Sequence, residues 1–284
     1  MRQRLAAVLI ALALTACTGS GAATRATSPS APSGRQVRSL TVDGRTRTYE
    51  LFLPPRAASA AGHPVVIAMH GAGSTIASLA RASGFDALAR RDGYAVAYPQ
   101  GLGARFNTRA HSTDVSFVRA IVDDLDKTIG LDRTRIHATG FSNGGFMSYR
   151  VAHDLPGTFA SIAPVAGLMS HDMLPAGSRT SLLHVHGSAD RVVSGAGRSG
   201  YGAFSGAQAW AVQAGCALPA TDTRPTAAAP LGVLERSWRC PAGGIQVGVV
   251  WIEGKGHTWP QEANGWLSRR IWRFFQETGG PGGR

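Results

Sequence analysis

Short apolar runs rich in β-branched residues alternate along this chain with stretches whose apolar residues recur at helical spacing. This repeated change of period predicts an α/β domain, in which strands and helices alternate. Runs with few polar positions suit strands that are buried on both faces of a largely parallel sheet. Six such strands are predicted: PVVIAM (64–69), YAVAYP (94–99), RIHATG (135–140), FASIAPVAG (159–167), SLLHVHG (181–187) and VGVVWIEG (247–254).

An antiparallel hairpin is predicted ahead of the first buried run. Its strands, VRSLTV (37–42) and RTYELFL (47–53), flank Asp43-Gly44, a dipeptide that favours a tight turn. We expect a mostly parallel central sheet with this N-terminal hairpin and helices on both faces.

Two helices are predicted from their apolar stripes. The clearest begins with Asp114 as its N-cap, and a last helix lies near residues 264–276. The stripes are Val118, Ile121, Val122, Leu125 and Ile129 in the first, and Trp266, Ile271, Phe274 and Phe275 in the last.

The first sixteen residues, MRQRLAAVLIALALTA, have the layout of a secretory signal, with Arg2 and Arg4 at the cationic start of an apolar stretch. The next residue is Cys17, and LTAC (14–17) resembles the lipobox of bacterial lipoproteins, which predicts lipidation of that cysteine. A plain signal peptide that precedes a cysteine is the alternative. No apolar run reaches the roughly 18 residues of a membrane span, which excludes an integral membrane protein.

Small and polar residues with two prolines fill residues 17–36, which predicts a flexible tether. A single globular domain is expected over 37–278, followed by a disordered tail at 279–284. Export would also permit Cys216 and Cys240 to pair, because an oxidising compartment allows disulfides. Two buried free thiols are the alternative.

Candidate chemistry begins at GFSNG (140–144), which follows a predicted strand and precedes a stretch that can continue as a helix. This context is that of a nucleophile elbow, in which a sharp turn exposes the serine above the sheet. Ser142 is therefore the predicted nucleophile. A glycine-rich turn with an incidental serine is the alternative.

A serine hydroxyl is a weak nucleophile unless a base takes its proton and an acid orients that base. After an elbow the expected chain order is serine, acid, histidine. Asp190 follows the strand SLLHVHG and His257 follows the strand VGVVWIEG, so both lie at carboxyl ends of strands. Asp172 is the chief rival for the acid. The alternative for Asp190 is a solvated turn carboxylate, and the alternative for His257 is a structural loop histidine.

Ester hydrolysis also needs donors for the developing oxyanion, usually two backbone N–H groups. One is predicted at Asn143, the residue after the nucleophile. The other is predicted at Gly71 or Ala72, in a loop that resembles the HG-type turn of esterases. His70 and Trp259 are further candidates for the substrate pocket, and core packing is an equal alternative for Trp259.

Taken together, these motifs resemble the α/β-hydrolase esterases of the polyhydroxybutyrate depolymerase and feruloyl esterase group. The resemblance implies an α/β-hydrolase fold, a triad of Ser142, Asp190 and His257, a Cys216–Cys240 pair and no cofactor or metal. One stretch departs from the family, LGARFNTRAHST (102–113), so substrate specificity is not inherited there. The markers, in family order, are HGAGS (70–74), YPQG (98–101), DVSF (114–117), GFSNGG (140–145), HGSAD (186–190) and GHTWP (256–260).

The motifs leave room for further functions. His184 and His186, with Asp190, faintly resemble metallo-hydrolase ligands, although the spacing fits poorly. A non-catalytic lipoprotein on a hydrolase scaffold and an acyltransferase are also compatible with the sequence. Within esterases the motifs do not choose among polyhydroxyalkanoate oligomers, feruloyl or acetyl groups on polysaccharide, and short acyl esters.

The charge balance bears on location more than on chemistry. The chain carries 29 basic and 17 acidic side chains, a net charge of +12, and its only lysines are Lys127 and Lys255. Loss of residues 1–16 removes two arginines and leaves +10. Because the arginines are scattered and export is predicted, we exclude nucleic acid as a partner. We expect a monomer, attached by its lipid to an envelope whose anionic surface attracts it.

Overall fold

The computed structural model describes residues 34–174, 177, 179–197, 200–225, 232–241 and 244–279. The predicted signal peptide, Cys17 and residues 280–284 of the predicted tail lie outside these residues, as does the predicted tether up to residue 33. Residues 34–36, also predicted as tether, instead belong to the first strand, which begins at Gly34.

The described residues form one sheet of ten strands, in the order β1-β2-β4-β3-β5-β6-β7-β10-β9-β8. The central strands run parallel, and antiparallel pairs lie at both edges. The strands are β1 Gly34–Val42, β2 Arg45–Leu53, β3 His63–Met69, β4 Ala95–Pro99, β5 Leu131–Phe141, β6 Ser161–Val165, β7 Ser181–Gly187, β8 Ala217–Thr223, β9 Val233–Arg239 and β10 Val247–Ile252.

Helices cover both faces of the sheet. Alternate residues of a strand point to opposite faces, so each buried strand contributes apolar side chains to both helix layers. Val65 and Ile67 of β3 belong to one hydrophobic cluster, together with helices α3, α4 and α5. Val66 and Ala68 belong to the other, with α1, α2 and α6. The helices are α1 Ile76–Ser83, α2 Phe85–Asp92, α3 Thr113–Ile129, α4 Asn143–Asp154, α5 Ala203–Gln213 and α6 Glu262–Thr278.

The predicted fold class and the six buried strands are confirmed, with shifts of a few residues at their ends. The predicted hairpin is also present, and Asp43 and Gly44 both have positive φ, as the favoured two-residue hairpin turn requires. No strand was predicted for β8 and β9. Six of the seven residues of β8 are exposed, so this strand carries no apolar signal.

The predicted N-cap of α3 is wrong. Ser112 occupies that position, and Asp114 lies in the first turn of the helix. The carboxylate of Asp114 is buried against the guanidinium of Arg47 at 2.5 Å, so its role is tertiary and not that of a cap.

Cys216 and Cys240 form a disulfide, which is the pairing that the resemblance implied. It joins the residue before β8 to the residue after β9, and so closes the outer edge of the sheet. No helix in the described part of the chain is long and apolar enough to cross a bilayer.

Candidate active site

Ser142 lies in a sharp turn between β5 and α4. Its backbone has φ 53° and ψ −113°, a conformation that costs a non-glycine residue of order 1–3 kcal/mol. Its N–H donates to the carbonyl of Val165 at 2.8 Å, which ties the turn to the neighbouring strand β6. This strained, anchored turn is the geometry of a nucleophile elbow.

Glycines make the turn possible by close backbone contact. A Cβ atom at Gly144 would lie 2.0 Å from the carbonyl oxygen of Met69, and a Cβ at Gly140 would lie 2.5 Å from the carbonyl oxygen of Gly144. Neither distance is sterically allowed, so both positions require glycine. The first turn of α4 can therefore pack directly on the end of β3.

Three side chains from three loops meet at this turn. His257 Nε2 lies 2.9 Å from Ser142 Oγ, and His257 Nδ1 lies 2.8 Å from Asp190 Oδ2. The other carboxylate oxygen of Asp190 accepts the backbone N–H groups of Val192 and Val193 at 2.9 and 2.8 Å. Because the carboxylate accepts from Nδ1–H, the lone pair of Nε2 faces the serine hydroxyl. The arrangement can take a proton from Ser142.

Asp172 lies elsewhere. Its side chain is 60% exposed and pairs with Arg150. The structure gives His257 an ion-pair contact with Asp190 and none with Asp172 among the described residues.

The candidate oxyanion donors lie beside Ser142. Asn143 is the first residue of α4, so its N–H has no partner within the helix. A Cβ at Gly71 would lie 3.5 Å from Ser142 Cβ, so the loop after β3 passes directly beside the serine. Gly73 N–H is already donated to Ala104, which leaves the amides of Gly71 and Ala72 as the candidates in this loop.

His70, a predicted pocket residue, links two loops beside the elbow. Its ring is buried, Nδ1 donates to the carbonyl of Gly71 at 2.8 Å, and Nε2 accepts the N–H of Gly101 at 3.1 Å. Burial lowers the pKa of this ring, which favours the neutral form that these partners require. His70 therefore holds the loop after β3 against the loop after β4.

Trp259, predicted either to line the substrate pocket or to pack in the core, borders a cavity and is also buried. It lines a cavity of about 190 Å³ that is also bordered by Gly71 and His257. Its indole is nonetheless almost fully buried, with Nε1 donating to Ser268 Oγ at 3.2 Å and its ring edge-on to Phe85. A second cavity of about 270 Å³ is lined by apolar residues that include Phe146, Met169 and Val192.

A buried chain of hydrogen bonds lies behind Asp190. His186 Nε2 lies 2.8 Å from the carbonyl oxygen of Val193 and must therefore donate to it. His186 Nδ1 then accepts from His184 Nε2 at 3.1 Å, and His184 Nδ1 accepts from the hydroxyl of Tyr149 at 2.8 Å. These bonds use all four ring nitrogens of the two histidines, which argues against the alternative that they bind a metal.

Sequence reasoning did not single out Tyr149 or the side chain of Asn143. Asn143 Nδ2 donates to the carbonyl of Phe106, and its Oδ1 accepts the N–H of the same residue at 2.7 Å. These partners are 37 residues apart, so no local pattern reveals the contact.

Comparisons with known proteins agree with this geometry. No protein-family model matches the chain. The chain is 32% identical over 262 residues to the “Putative esterase NocK” of Nocardia uniformis subsp. tsuyamanensis, covering 82% of this chain and 76% of that protein. It is 34% identical over 119 residues to poly(3-hydroxyalkanoate) depolymerase C of Paucimonas lemoignei, covering 38% of this chain and 28% of that protein.

Solved structures of esterases share this fold. The acetyl xylan esterase of Aspergillus awamori superposes with a TM-score of 0.66 over 85% of this chain and 99% of that structure, at 16% sequence identity. At that identity the likeness concerns the fold, whereas the longer sequence match concerns the family. The predicted resemblance is thereby confirmed: the chain belongs to the esterase family of α/β-hydrolases and is a carboxylic ester hydrolase.

Proposed function

We propose that this esterase works through an acyl-enzyme formed on Ser142, with His257 as general base and Asp190 as the acid that orients it. The observation that carries the proposal is the unbroken contact from Ser142 Oγ to His257 Nε2 at 2.9 Å and from His257 Nδ1 to Asp190 Oδ2 at 2.8 Å. Asp190 is buried and held by two backbone N–H groups, so it can keep the imidazole in one orientation.

The reaction proceeds in two steps. Ser142 Oγ attacks the acyl carbon while His257 Nε2 takes the hydroxyl proton, and the carbonyl oxygen becomes an oxyanion facing the amides of Asn143 and Gly71 or Ala72. When this intermediate collapses, the ester C–O bond breaks and His257 returns the proton to the departing alcohol. Water then attacks the acyl-enzyme, His257 takes its proton, and Ser142 regains that proton as the carboxylic acid leaves.

A substitution of the nucleophile tests the proposal. Ser142→Ala is expected to lower kcat on a 4-nitrophenyl ester by at least about a thousandfold and to abolish labelling by a fluorophosphonate probe. Ser39→Ala, on the exposed side of β1, is the matched control and should retain both. Full activity or labelling in a folded Ser142→Ala sample would refute the assignment.

The substrate belongs to one of three ester classes in this proposal: polyhydroxyalkanoate oligomers, feruloyl or acetyl groups on polysaccharide, or short acyl esters. The discriminating panel is nitrophenyl esters of increasing chain length, a hydroxybutyrate trimer, methyl ferulate and acetylated xylan. Adding a competing alcohol to the assay separates hydrolysis from acyl transfer, because transfer yields a new ester in place of the acid.

We also propose that the protein is exported and anchored through a lipid on Cys17. The sequence of residues 1–17 supports this, and the Cys216–Cys240 disulfide is the kind that oxidising compartments permit. In a bacterial host, Cys17→Ala should move the mature protein from the membrane to the soluble envelope fraction, and mass spectrometry should show loss of the acyl groups. If the wild type and Cys17→Ala fractionate alike and neither carries acyl groups, the anchoring proposal is refuted. We expect the protein itself to be a monomer.

A further inference from the structure

A groove of about 710 Å³ lies beside the nucleophile elbow and is lined by three arginines. Arg45 comes from the start of β2, and Arg105 and Arg109 come from the loop between β4 and α3. Asn143, the residue after the proposed nucleophile, lines the same groove. All three arginine side chains are exposed, so a bound molecule can reach their guanidinium groups. We call this the arginine groove.

Within the described part of the chain, no carboxylate forms an ion pair with an arginine of the arginine groove. The ion pairs found among the described residues include none of its three arginines. Asp114 also lines the groove, but its carboxylate is buried against Arg47 and accepts the N–H of Asn107. The groove therefore presents three exposed guanidinium groups without an ion-pair partner among the described residues, next to Asn143, the residue that follows Ser142.

The loop that carries Arg105 and Arg109 is held in place from beneath. Side chains of α3 and α4 bind its backbone at several points, so its shape does not depend on a ligand. Because the loop is already ordered, binding through it has a smaller entropic cost. The Asn143 side chain donates to the carbonyl of Phe106 and accepts its N–H, and Arg150 donates to the carbonyl of Thr108. The carboxylates of Asp114 and Asp154 accept the N–H groups of Asn107 and His111.

We propose that the arginine groove binds an ionised carboxylate carried by the ester substrate, away from the bond that is cleaved. Guanidinium groups bind carboxylates with two parallel hydrogen bonds, which gives both affinity and orientation. This inference rests on Ser142 as the nucleophile. The substrate class is an ester that bears a carboxylate, such as the free-acid end of a hydroxyacid oligoester or a uronate on an esterified glycan.

The loop concerned is the stretch that departs from the family pattern, residues 102–113. A substrate preference encoded there belongs to this chain and is not carried over from its relatives. The two cavities near Trp259 and Met169 are smaller, at about 190 and 270 Å³. The arginine groove is thus the part of the site with room and charge for a polar substrate.

Matched pairs of synthetic esters test the proposal. The first pair is 4-nitrophenyl hydrogen adipate and its neutral methyl ester, which differ in charge on the acyl side. The second is 4-acetoxybenzoate and its methyl ester, which differ on the alcohol side. We expect kcat/KM to favour the charged member of at least one pair by at least about tenfold at low salt, and this preference to shrink as ionic strength rises.

Variants separate the groove from the overall positive charge of the protein. Replacing Arg45, Arg105 and Arg109 by Gln should reduce the charged-to-neutral ratio of kcat/KM to near one. Replacing Arg119, Arg133 and Arg273 by Gln removes the same charge at exposed positions outside the groove and should leave the ratio intact.

Two outcomes would overturn the proposal. One is a ratio near one for both pairs in the wild type, and the other is an equal fall of the ratio in the two triple variants. Failure of the proposed nucleophile looks different, because Ser142 would then not react with a fluorophosphonate and Ser142→Ala would still hydrolyse the neutral esters.

Natural compounds identify the source of the carboxylate. A hydroxybutyrate trimer is compared with its methyl ester, and an acetylated xylo-oligosaccharide bearing glucuronate is compared with one that lacks it. The source is the compound for which the groove variant, and not its charge-matched control, removes the preference. If the groove variant removes the preference in neither comparison, the result contradicts both sources and with them the proposed substrate class.

Discussion

His186 Nε2 lies 3.5 Å from Asp190 Oδ2, the same carboxylate oxygen that His257 Nδ1 contacts at 2.8 Å. The side chains of His186 and Asp190 are fully buried. Burial lowers the pKa of His186, so the ring is neutral, and its Nε2–H donates to the carbonyl of Val193 while lying near Asp190. His186 thus supports the carboxylate from a second direction, and we regard it as a positioning residue.

His186→Leu is the first prediction. The change leaves the Val193 carbonyl and the His184 N–H buried without partners, each costing about 1–3 kcal/mol of stability. We expect kcat/KM to fall about tenfold, or about 1.4 kcal/mol of transition-state stabilisation, because Asp190 loses a neighbour that fixes its position. Denaturant unfolding and steady-state kinetics measure the two effects.

His186→Gln is the matched control for that prediction. Its amide can donate to Val193 and accept from His184, so it should recover most of the stability and most of kcat/KM. The value of kcat in folded enzyme is the decisive readout, since a purely structural role would leave it in place. An unchanged kcat in a folded His186→Leu sample would contradict the positioning role.

Gly144→Ala is the second prediction. Because the new Cβ would lie 2.0 Å from the backbone oxygen of Met69, the elbow cannot keep its shape. We expect a loss of at least about 3 kcal/mol of stability, at the severe end of single substitutions, with loss of activity. Gly157→Ala is the comparison, since its Cβ would meet nothing within 4 Å and only the positive φ of 77° is strained. Its cost should be about 1–2 kcal/mol, and equal costs at both positions would contradict the close-contact argument.

Removal of the disulfide is the third prediction. Cys216 and Cys240 are 24 residues apart, and the chain-entropy estimate for a loop of that size is about 3 kcal/mol. The free energy of unfolding of the double serine variant should be lower by that amount, so the variant should unfold at a lower denaturant concentration. It should keep kcat, because the bond closes the β8–β9 edge and touches no residue of the proposed triad. A large drop in kcat with unchanged stability would go against this separation.

Acid sensitivity is the fourth prediction. His137 is buried on Ser161 and stacked on Phe275, and burial lowers its pKa from 6.5 to about 3. Between these two pH values the unfolded chain binds a proton that the folded chain does not, so stability falls as the pH falls. The slope for this one group is about 1.4 kcal/mol per pH unit.

His137→Gln should therefore flatten the pH dependence of the unfolding free energy over that window. Urea denaturation at pH 6.5, 5.5 and 4.5 gives the slope directly. Some slope should persist, since burial also lowers the pKa of His184. A slope equal to that of the wild type would mean that His137 does not bind the proton on unfolding.

Much of the architecture follows from local features of the chain. Apolar runs of strand length placed the six buried strands, and Asp43-Gly44 marked a turn whose two residues both adopt positive φ. The elbow was also predictable, because only glycine tolerates the contacts at positions 140 and 144. Strand β8 was missed because it lies at the exposed edge, where burial imposes no apolar pattern, and its neighbour β9 was missed because it is only partly buried.

The sequence by itself determined the six buried strands, the N-terminal hairpin, the elbow and the order of candidate residues, because each depends on neighbours within a few positions. Only the tertiary structure decided between Asp190 and Asp172 as the contact of His257, buried His70 against Gly101, and placed Arg45 in the same groove as Arg105. These contacts join residues that are far apart in the chain. Their selection depends on distance, burial and charge in the folded molecule, which no local pattern encodes.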